Sequence, residues 1–476
     1  MKKLLFILSL CSFTTFGQQR VFERDKFDTE ILTIVTAKVK YPTAANSRTI
    51  ERTNNVKRFE VDEKRINNDF MREAIKKNSA FVTLIETKNI PIEIYLNQSG
   101  SIDYLVYGYS SYDNRIFNGR KFVFDTLNTE QTALFLTVAE DFCKNYKYSF
   151  TEAGKNVSFN LGLGFGKGQK KVSKKYISTL EMAKSCNQPD TVKTLMLNRL
   201  NLLDFPEVVF KFKNLEKLDL ADNYIEVIPK SIWSLEKLKL LSLSGNYINY
   251  NKFKFKKNKH IKDLNIQFTG LTKLPKSLKR NQNLEVLFVG NNPIKFRNND
   301  FKRMPNLKAL NLYNVRTSTL PKSISKLKNL EELDLYYNDL KFLPKEVCEL
   351  PKLKTLAVAN NQLWNLPEEI SKMSSLQTLY AHHNRLNSLP NLPSLKLLDV
   401  GYNLFKVFPE QVYQLKDLEE FDITHNAIMD IPEGLLALSK LQKVYIRGNE
   451  FYKSEVPDEK LTKLKDSLEK RQVMVR

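Results

Sequence analysis

Hydrophobic residues recur at fixed intervals through a little over half of the chain, from Val192 onward. In the stretch LEELDLYYNDL, residues 330–340, leucine stands at the first, fourth, sixth and eleventh positions. The pattern restarts every 23 residues in ten of eleven steps, and the remaining step is 19 residues long. Repetition at this period predicts a solenoid of stacked units. The twelve units begin at Val192, Leu215, Leu238, Ile261, Leu284, Leu307, Leu330, Leu353, Leu376, Leu395, Leu418 and Leu441.

The first half of each unit has the spacing of a short strand. If the first apolar residue is position one, the leucines at positions four and six point to the same face of a strand. Each unit is therefore expected to add one strand to a parallel sheet. The second half covers that face, as with Leu343, Val347 and Leu350. Nine units have an apolar residue followed by proline where the chain leaves the strand, a place where a missing N–H costs nothing.

This pattern resembles the leucine-rich repeat family, whose 23-residue form reads LxxLxLxxNxLxxLPxxIxxLxx. The resemblance implies an α/β solenoid with a parallel sheet on its concave face, in twelve repeats over residues 192–449. It also implies a structural ladder of asparagines at position nine. Leu200, Thr269 and Val315 replace the asparagine in three repeats, where we expect a looser or differently bonded turn. The asparagines are Asn223, Asn246, Asn292, Asn338, Asn361, Asn384, Asn403, Asn426 and Asn449.

The segments that flank the repeats are expected to cap the solenoid, because its end units would otherwise expose their cores. Residues 171–191 form the predicted N-terminal cap, with helical spacing over 173–186. Residues 450–476 form the predicted C-terminal cap, with a helix over 457–470.

Residues 18–170 do not repeat and predict a small α+β domain. Helical patterns cover 64–77 and 129–146, and strand-like alternation covers 81–87, 91–97, 101–111 and 155–166. The order of strand, turn glycine, helix and last strand resembles the C-terminal domain of TonB-type periplasmic energy transducers. The membrane anchor and proline-rich span of that family are absent, so the resemblance implies only a fold able to bind a peptide by strand addition.

The first 17 residues have the pattern of a secretory signal peptide. Lys2 and Lys3 precede an apolar segment over residues 4–13, and Thr15 and Gly17 place small residues before a cut ahead of Gln18. A buried N-terminal strand is the alternative. The signal predicts a bacterial protein exported to the periplasm, the cell surface or the medium.

The formal net charge of +22 and the pI of about 9.5 raise nucleic acid, anionic membranes and acidic glycans as partners. Nucleic acid is not expected, because an exported protein rarely meets it. Positions three, five, seven and eight face away from the leucines, giving 36 sites in the nine repeats from Leu238 to Leu418. The composition would place five or six lysines or arginines there, and there are none.

This base-free face carries seven aromatic and six acidic residues together with three histidines. Tyrosine offers a rigid contact area with a polar tip, as is typical of protein interfaces. We predict that the face binds a protein or peptide with exposed lysine or arginine. The alternative is family-typical polar decoration, with aromatics favoured by strand propensity. The predicted binding residues are Phe288, Tyr313, Glu332, Asp334, Tyr336, Tyr337, Tyr380, His382, His383, Asp399, Tyr402, Asp422 and His425.

The lysines concentrate elsewhere, on the expected convex or edge side of repeats three to five. They predict a patch for anionic lipid or acidic polysaccharide, and a solvated lysine-rich face is the alternative. An envelope-associated structural or adhesion protein would use this patch, and this is the second function we consider beside an exported protein-binding module. The patch residues are Lys252, Lys254, Lys256, Lys257, Lys259, Lys276, Lys279, Arg280 and Arg297.

No catalytic or metal constellation is expected, and no cofactor or enzymatic activity is predicted. His382 and His383 are adjacent and expected to point different ways, and His425 lies two strands further, about 10 Å away by strand spacing. Cys143 and Cys186 could pair in an oxidising compartment, but free buried thiols are the favoured reading, also for Cys348. The sequence leaves the oligomeric state open.

Overall fold

The computed structural model of the chain forms two compact units, residues 1–170 and 171–476. The predicted signal peptide over residues 1–17 lies outside the described residues, and so do Lys257 and Lys259 of the predicted basic patch. The described residues are 21–23, 54–77, 81, 84, 90–96, 99, 101–107, 116–117, 120–121, 127–147, 157–163, 176–256, 260–430, 432–452 and 459–476.

The N-terminal unit combines a four-stranded sheet with two long helices. The sheet order is β1-β3-β2-β6, in which β2 runs antiparallel to β3 and β6, while β1 is parallel to β3. A separate two-stranded ribbon is formed by β4 and β5. The elements are β1 (Val21–Glu23), α1 (Asn54–Lys77), β2 (Ile90–Leu96), β3 (Ile102–Tyr107), β4 (Ile116–Phe117), β5 (Arg120–Lys121), α2 (Thr129–Asn145) and β6 (Val157–Leu163).

The core of this unit is rich in phenylalanine. Phe70 of α1 packs edge-on against Phe142 of α2 at 4.9 Å between ring centroids, and it contacts Phe81 at 6.0 Å. The strand predicted over residues 81–87 is wrong at Phe81 and Leu84, which are helical. Both side chains are buried, and a spacing of three residues places them on one helix face. The short apolar run permitted either assignment, and tertiary packing decided it.

The second compact unit, residues 171–476, contains all twelve repeats, and we call it the repeat unit. It is built on a thirteen-stranded parallel sheet, as the repeat pattern predicts. Twelve of its strands are positions three to five of the twelve repeats, and equivalent positions pair, as Leu333 does with Leu310 and Leu356. The strands are β7 (Thr194–Met196), β8 (Lys217–Asp219), β9 (Leu240–Ser242), β10 (Asp263–Asn265), β11 (Val286–Phe288), β12 (Ala309–Asn311), β13 (Glu332–Asp334), β14 (Thr355–Ala357), β15 (Thr378–Tyr380), β16 (Leu397–Asp399), β17 (Glu420–Asp422), β18 (Lys443–Tyr445) and β19 (Met474–Val475).

Short 3-10 helices cover the leucine face of the sheet. Eight of them begin directly after the proline of an apolar-proline pair, and residues such as Ile324 and Ile370 point from them into the core. The 19-residue repeat, which starts at Leu376, has no such helix. The 3-10 helices are Pro189–Thr191, Glu207–Lys211, Lys230–Ser234, Lys276–Arg280, Lys322–Lys326, Lys345–Val347, Glu368–Lys372, Glu410–Gln414, Glu433–Ala437 and Glu450–Tyr452.

The position-nine asparagines are buried and bonded to backbone on both sides. The Asn338 amide nitrogen donates to the carbonyls of Leu312 at 2.8 Å and Leu335 at 3.0 Å, and its oxygen accepts from the Thr317 N–H at 3.1 Å. Where threonine replaces asparagine, the Thr269 hydroxyl donates to the Ile266 carbonyl at 2.9 Å. The turn there is therefore differently bonded, and these side chains are engaged in structure.

Both ends of the repeat unit are capped. At the front, the helix predicted over 173–186 is wrong at residues 176–179, because Ile177 bridges Leu195 of the first strand, and helix α3 covers only Leu180–Ser185. At the rear, α4 (Glu459–Lys470) buries three leucines. The final strand β19 pairs with β18 and was not predicted, because two strand residues leave no period to recognise. It covers the sheet edge that the last repeat would otherwise expose.

The three cysteines among the described residues are free. Cys143 is buried, whereas Cys186 and Cys348 are partly exposed, so the expectation of buried thiols holds for the first alone. Burial nevertheless raises the pKa of the Cys348 thiol to about 12. None of the helices that the structure describes has the length and apolar character needed to cross a bilayer.

Candidate functional site

The face of the repeat sheet opposite the leucines carries the predicted binding residues. We call it the open sheet face and define it by the side chains at positions three, five, seven and eight of the repeats. All thirteen predicted residues are partly or well exposed there, and none is packed in the core. Tyr402 is 45% exposed and Phe288 36%. The leucines between them are fully buried, since successive strand residues point to opposite faces.

Eight rings on this face form one connected group, which we call the ring array. Tyr313 contacts Tyr337 at 5.2 Å between ring centroids, and Tyr337 contacts Tyr336 at 6.4 Å. Tyr336 in turn meets Tyr380 at 6.2 Å and His382 at 5.6 Å, both edge to face. The array continues through His383, Tyr402 and His425. The aromatic residues that the sequence distributes over five repeats are thus a contiguous surface, except Phe288.

The end of the array is a stack of three rings. Tyr402 lies between His383 at 4.1 Å and His425 at 4.2 Å, with interplanar angles of 12° and 20°. The next repeat has Gly448 at the equivalent position, and a side chain there would collide with the His425 ring. Gly448 therefore closes the stack and leaves room for the imidazole.

Position eight has a left-handed backbone in all twelve repeats, because the chain turns out of the strand there. Asparagine, aspartate, glycine or histidine fills eight of these positions, and these residue types tolerate such dihedrals best. Tyr337 and Tyr402 are exceptions, with φ of 57° and 53°. A bulky residue in this region costs about 1–2 kcal/mol. Arg199 and Phe268, outside the ring array, adopt the same backbone with φ of 57° and 51°, so the turn imposes this conformation whichever residue is present.

The expectation that His382 and His383 point apart is wrong. Their Nδ1 atoms lie 2.8 Å from each other, because the left-handed turn at His383 brings the two side chains together. One nitrogen must donate and the other accept, so both rings cannot be protonated. Burial lowers the pKa of both imidazoles, to about 4 for His383, where the neighbouring His382 and His425 act in the same direction. Both rings are neutral at pH 7.

The aspartates at position five have a structural bond that sequence reasoning missed. Asp334 accepts a hydrogen bond from the backbone N–H of Tyr336 at 2.9 Å, and Asp399 accepts one from Gly401 at 3.1 Å. Asn311 makes the equivalent bond to Tyr313. The N–H groups at positions six and eight bond to the next repeat, whereas that of position seven does not. An aspartate or asparagine two residues earlier satisfies it, a signal readable from the Asx-x-x spacing.

Two of these carboxyls bind protons more tightly than usual. Burial raises the pKa of Asp334. Burial, and secondarily the negative charge of Asp422, raises the pKa of Asp399 to about 7. The nearest cationic candidate is His382, whose Nε2 lies 3.9 Å from Asp399 and is neutral at pH 7. Within the described residues, no lysine or arginine forms an ion pair with Asp334, Asp399 or Asp422.

Acidic residues at position two, on the edge beside this face, form ion pairs with lysines, unlike the aspartates of the ring array. Glu216 bonds Lys193 and Lys239, and Glu285 bonds Lys262 and Lys308, at 2.6 to 3.1 Å. Hydrogen bonds from these lysines lower the pKa of both glutamates. The chain therefore neutralises acids along the edge and leaves those in the ring array without bases.

The part of the predicted basic patch over residues 252–256, which we call the basic segment, lies among the 3-10 helices, on the side away from the sheet. Phe253 stacks on Trp233 at 5.8 Å and both Phe253 and Phe255 are buried, so the intervening lysines point outward. Lys252, Lys254, Lys256, Lys276 and Arg280 are exposed, and Lys279 is partly so.

Arg297 must be removed from the predicted basic patch. Its guanidinium lies 2.8 Å from Asp300, which is 1% exposed, and also donates to the Leu274 carbonyl. Asp300 further accepts from the backbone N–H of Arg297. This pair holds together the turn of a repeat that lacks the apolar-proline pair, so the charge of Arg297 is already matched.

A second feature that sequence reasoning missed is an apolar edge next to the ring array. Large apolar side chains at positions ten to thirteen are exposed in four of the five successive repeats that start with Leu330. In the remaining repeat, which starts at Leu376, Arg385 lies over the Trp364 ring at 5.3 Å. Apolar residues at positions where other repeats have lysine or asparagine were the available signal. These residues are Phe342, Trp364, Leu404, Val407 and Met429.

No set of three histidine, cysteine, aspartate or glutamate side chains comes together as a metal site in the described part of the chain. The separation of His425 from the His382–His383 pair by the Tyr402 ring is the reason within the ring array.

Two family models match the repeat unit. The model described as "Leucine rich repeat" matches residues 190–248, and that described as "Leucine-rich repeat region" matches residues 292–388. No curated protein matches the sequence.

Several solved structures are similar to the chain. A leucine-rich repeat protein of Leptospira interrogans is 23% identical with a TM-score of 0.47, over 60% of this chain and 84% of that one. A chain in the octameric complex of latrophilin 3, Unc5D and FLRT2 is 21% identical with a TM-score of 0.48, over 59% and 88%. A plant peptide hormone receptor in complex with its peptide is 24% identical with a TM-score of 0.43, over 57% and 46%.

The repeat period, the in-register parallel sheet and the buried asparagine ladder agree with both family models. This chain carries a leucine-rich repeat solenoid.

Proposed function

We propose that the open sheet face binds a protein or peptide partner, and that the chain is an exported binding module. The observation that carries this proposal is the ring array, eight contiguous rings that remain partly exposed within the nine repeats, from Leu238 to Leu418, whose open sheet face has no lysine or arginine. Exposed rings with polar tips are typical anchors of protein interfaces. The carboxylates among them that form no ion pair with lysine or arginine favour a basic partner through charge complementarity. Two of the similar solved structures, the plant peptide hormone receptor and the latrophilin 3, Unc5D and FLRT2 assembly, are complexes with a bound partner, and that likeness is of fold only.

A displayed peptide library, selected on the full chain, tests this function. Selected peptides are expected to contain lysine or arginine and to bind at least ten times more weakly to a variant with Tyr336→Ala and Tyr380→Ala, because two central rings are lost. The melting temperature of that variant should fall by no more than about 5 °C, since both rings are partly exposed. Affinity is measured by fluorescence anisotropy with each selected peptide.

The matched control is Phe342→Ala, which removes a ring that is 61% exposed but lies outside the open sheet face. Its affinity should equal that of the wild type. Selected peptides that bind the double variant and the wild type equally would refute the proposed binding face.

A second candidate is attachment to an anionic lipid or polysaccharide surface of the envelope through the basic segment. The exposed lysines on a rigid base of Phe253, Phe255 and Trp233 favour it. We expect retention on immobilised heparin that collapses between low and moderate salt. Lys252→Gln, Lys254→Gln and Lys256→Gln together should lower the eluting salt concentration by about 0.1 M or more.

The control for that measurement has the same change in net charge. Lys345→Gln, Lys372→Gln and Lys406→Gln alter three exposed lysines elsewhere in the solenoid and should move elution much less. Equal shifts in the two triple variants would show that only total charge matters, and this would remove the patch.

For the N-terminal unit we propose peptide binding by strand addition, in the manner of a TonB-like fold. The chain order of β2, β3, α2 and β6 and the antiparallel pairing of β2 with both strands support it. Export remains a proposal as well, and fractionation of cells that produce the chain would test it.

A further inference from the structure

Two alanines interrupt the layer of large side chains on the open sheet face. Ala357 stands at position five and Ala359 at position seven of the repeat that starts at Leu353. In register, Ala357 lies between Asp334 of the preceding strand and Tyr380 of the following one. We call this place the alanine gap. It is the only one of the nine inner repeats with alanine at both positions.

Three rings close over the alanine gap from opposite sides. Tyr336 belongs to the repeat before it, and Tyr380 and His382 belong to the repeat after it. Strands two apart are separated by about 10 Å, but the Tyr336 ring lies only 6.2 Å from Tyr380 and 5.6 Å from His382. The small alanines allow this approach. The rings meet at 87° and 79°, and in an edge-to-face pair one ring keeps both faces clear of its partner.

Polar atoms around these rings have few hydrogen-bond or ion-pair partners among the described residues. The Tyr336 and Tyr380 hydroxyls form no hydrogen bond with any described residue, although both rings are partly buried. Asp399, the in-register neighbour of Tyr380, has only the Gly401 N–H at 3.1 Å and the neutral His382 at 3.9 Å. Aromatic faces and an unpaired carboxylate together are the surroundings that a cation requires.

We propose that the exposed ring faces above the alanine gap, together with Asp399, are the seat of an arginine side chain presented by the partner. The guanidinium stacks on the rings of Tyr380 and His382 and bonds to the Asp399 carboxylate. This inference rests on the proposed function of the same face and specifies its ligand. Arginine is favoured over lysine because its planar group is weakly hydrated, stacks on rings and binds carboxylate through two N–H groups.

The experiment uses the full chain and three dye-labelled hexapeptides, of arginine, lysine and citrulline, in fluorescence anisotropy titrations. Citrulline keeps the shape of arginine without its charge. The net charge of +22 repels cationic peptides from the chain as a whole, so binding has to come from a local site. Hexa-arginine should bind at least ten times more tightly than hexalysine, and hexacitrulline should not bind.

Tyr380→Leu and, separately, Asp399→Asn should each weaken hexa-arginine binding at least tenfold. Asparagine at position five is native in two repeats, as Asn265 and Asn311, so Asp399→Asn retains the turn bond and the fold. The matched control Asp219→Asn changes a position-five carboxylate outside the ring array, which accepts the same turn bond from the Ala221 N–H, and should leave the affinity unchanged.

Two results would overturn the arginine seat. One is hexa-arginine binding that is absent or insensitive to both variants. The other is a set of selected library peptides that depend on Tyr336 and Tyr380 but contain no arginine, and this would leave the proposed binding face intact while removing its arginine specificity.

Discussion

Asn338→Ala is expected to lower the free energy of unfolding of the solenoid by about 3 kcal/mol. The change removes the hydrogen bonds that a fully buried amide donates to the carbonyls of Leu312, Leu335 and Tyr336, and the one that it accepts from the Thr317 N–H. The Leu312 carbonyl and the Thr317 N–H are left buried without a partner, which costs about 1 kcal/mol or more apiece, whereas the Leu335 carbonyl keeps its bond from Asn361. The measurement is the midpoint of urea unfolding followed by circular dichroism.

Two further variants serve as a partial rescue and as a control for Asn338→Ala. Asn338→Thr should recover part of the loss, because Thr269 shows that a hydroxyl at position nine still donates to the carbonyl three residues earlier. Asn387→Ala, at an exposed position of the next repeat but one, should have almost no effect. An unfolding midpoint for Asn338→Ala equal to that of Asn387→Ala would mean that the asparagine ladder does not stabilise the repeats.

Asp399→Asn is expected to stabilise the chain at pH 8 by about 2 kcal/mol and to leave it unchanged at pH 4. The pKa of Asp399 is raised from 3.8 to about 7 in the folded state, chiefly by burial. Between these values the folded chain binds more protons than the unfolded one, so stability is present below pH 4 and lost as the pH rises towards 7. A shift of three units corresponds to about 4 kcal/mol, reduced here because the side chain is still 20% exposed.

The measurement is the difference in unfolding free energy between Asp399→Asn and wild type at pH 4, 6 and 8. Taking the difference removes the opposite contribution of His383, whose lowered pKa costs stability as the pH falls from 6.5 to about 4. Asp417→Asn is the control of opposite sign, because the hydrogen bond from Lys440 lowers the pKa of Asp417. That variant should be slightly less stable at neutral pH. A constant difference for Asp399→Asn across all three pH values would contradict the raised pKa.

Asp399→Asn is expected to change stability and peptide affinity in opposite directions, and this distinguishes a binding role of Asp399 from a structural one. If Asp399 serves a cationic partner, Asp399→Asn gains stability and loses affinity for hexa-arginine. A carboxylate that only ended a strand would lose nothing on replacement by asparagine, since Asn311 makes the same bond to the N–H of position seven. Selection for fold alone would then favour asparagine at position 399.

The prediction of the strands from sequence succeeded because the repeat imposes its own register. Leucines at positions four and six have to lie on the buried face in every unit, and a shift by one residue would expose them all. The positions of Tyr336, Asp399 and the other residues on the open sheet face follow from the same alternation. Residues 81–87 had no such repetition to guide them, and the last strand was too short to have a period.

The 23-residue period alone therefore determined the parallel sheet, its asparagine ladder and the set of side chains on its open face. Only the tertiary structure decided which of those side chains meet. Contacts such as Tyr336 with Tyr380, the paired imidazoles of His382 and His383 and the protonation of Asp399 depend on strand spacing, left-handed turns and burial. These quantities arise between residues of different repeats, and no spacing along the chain encodes them.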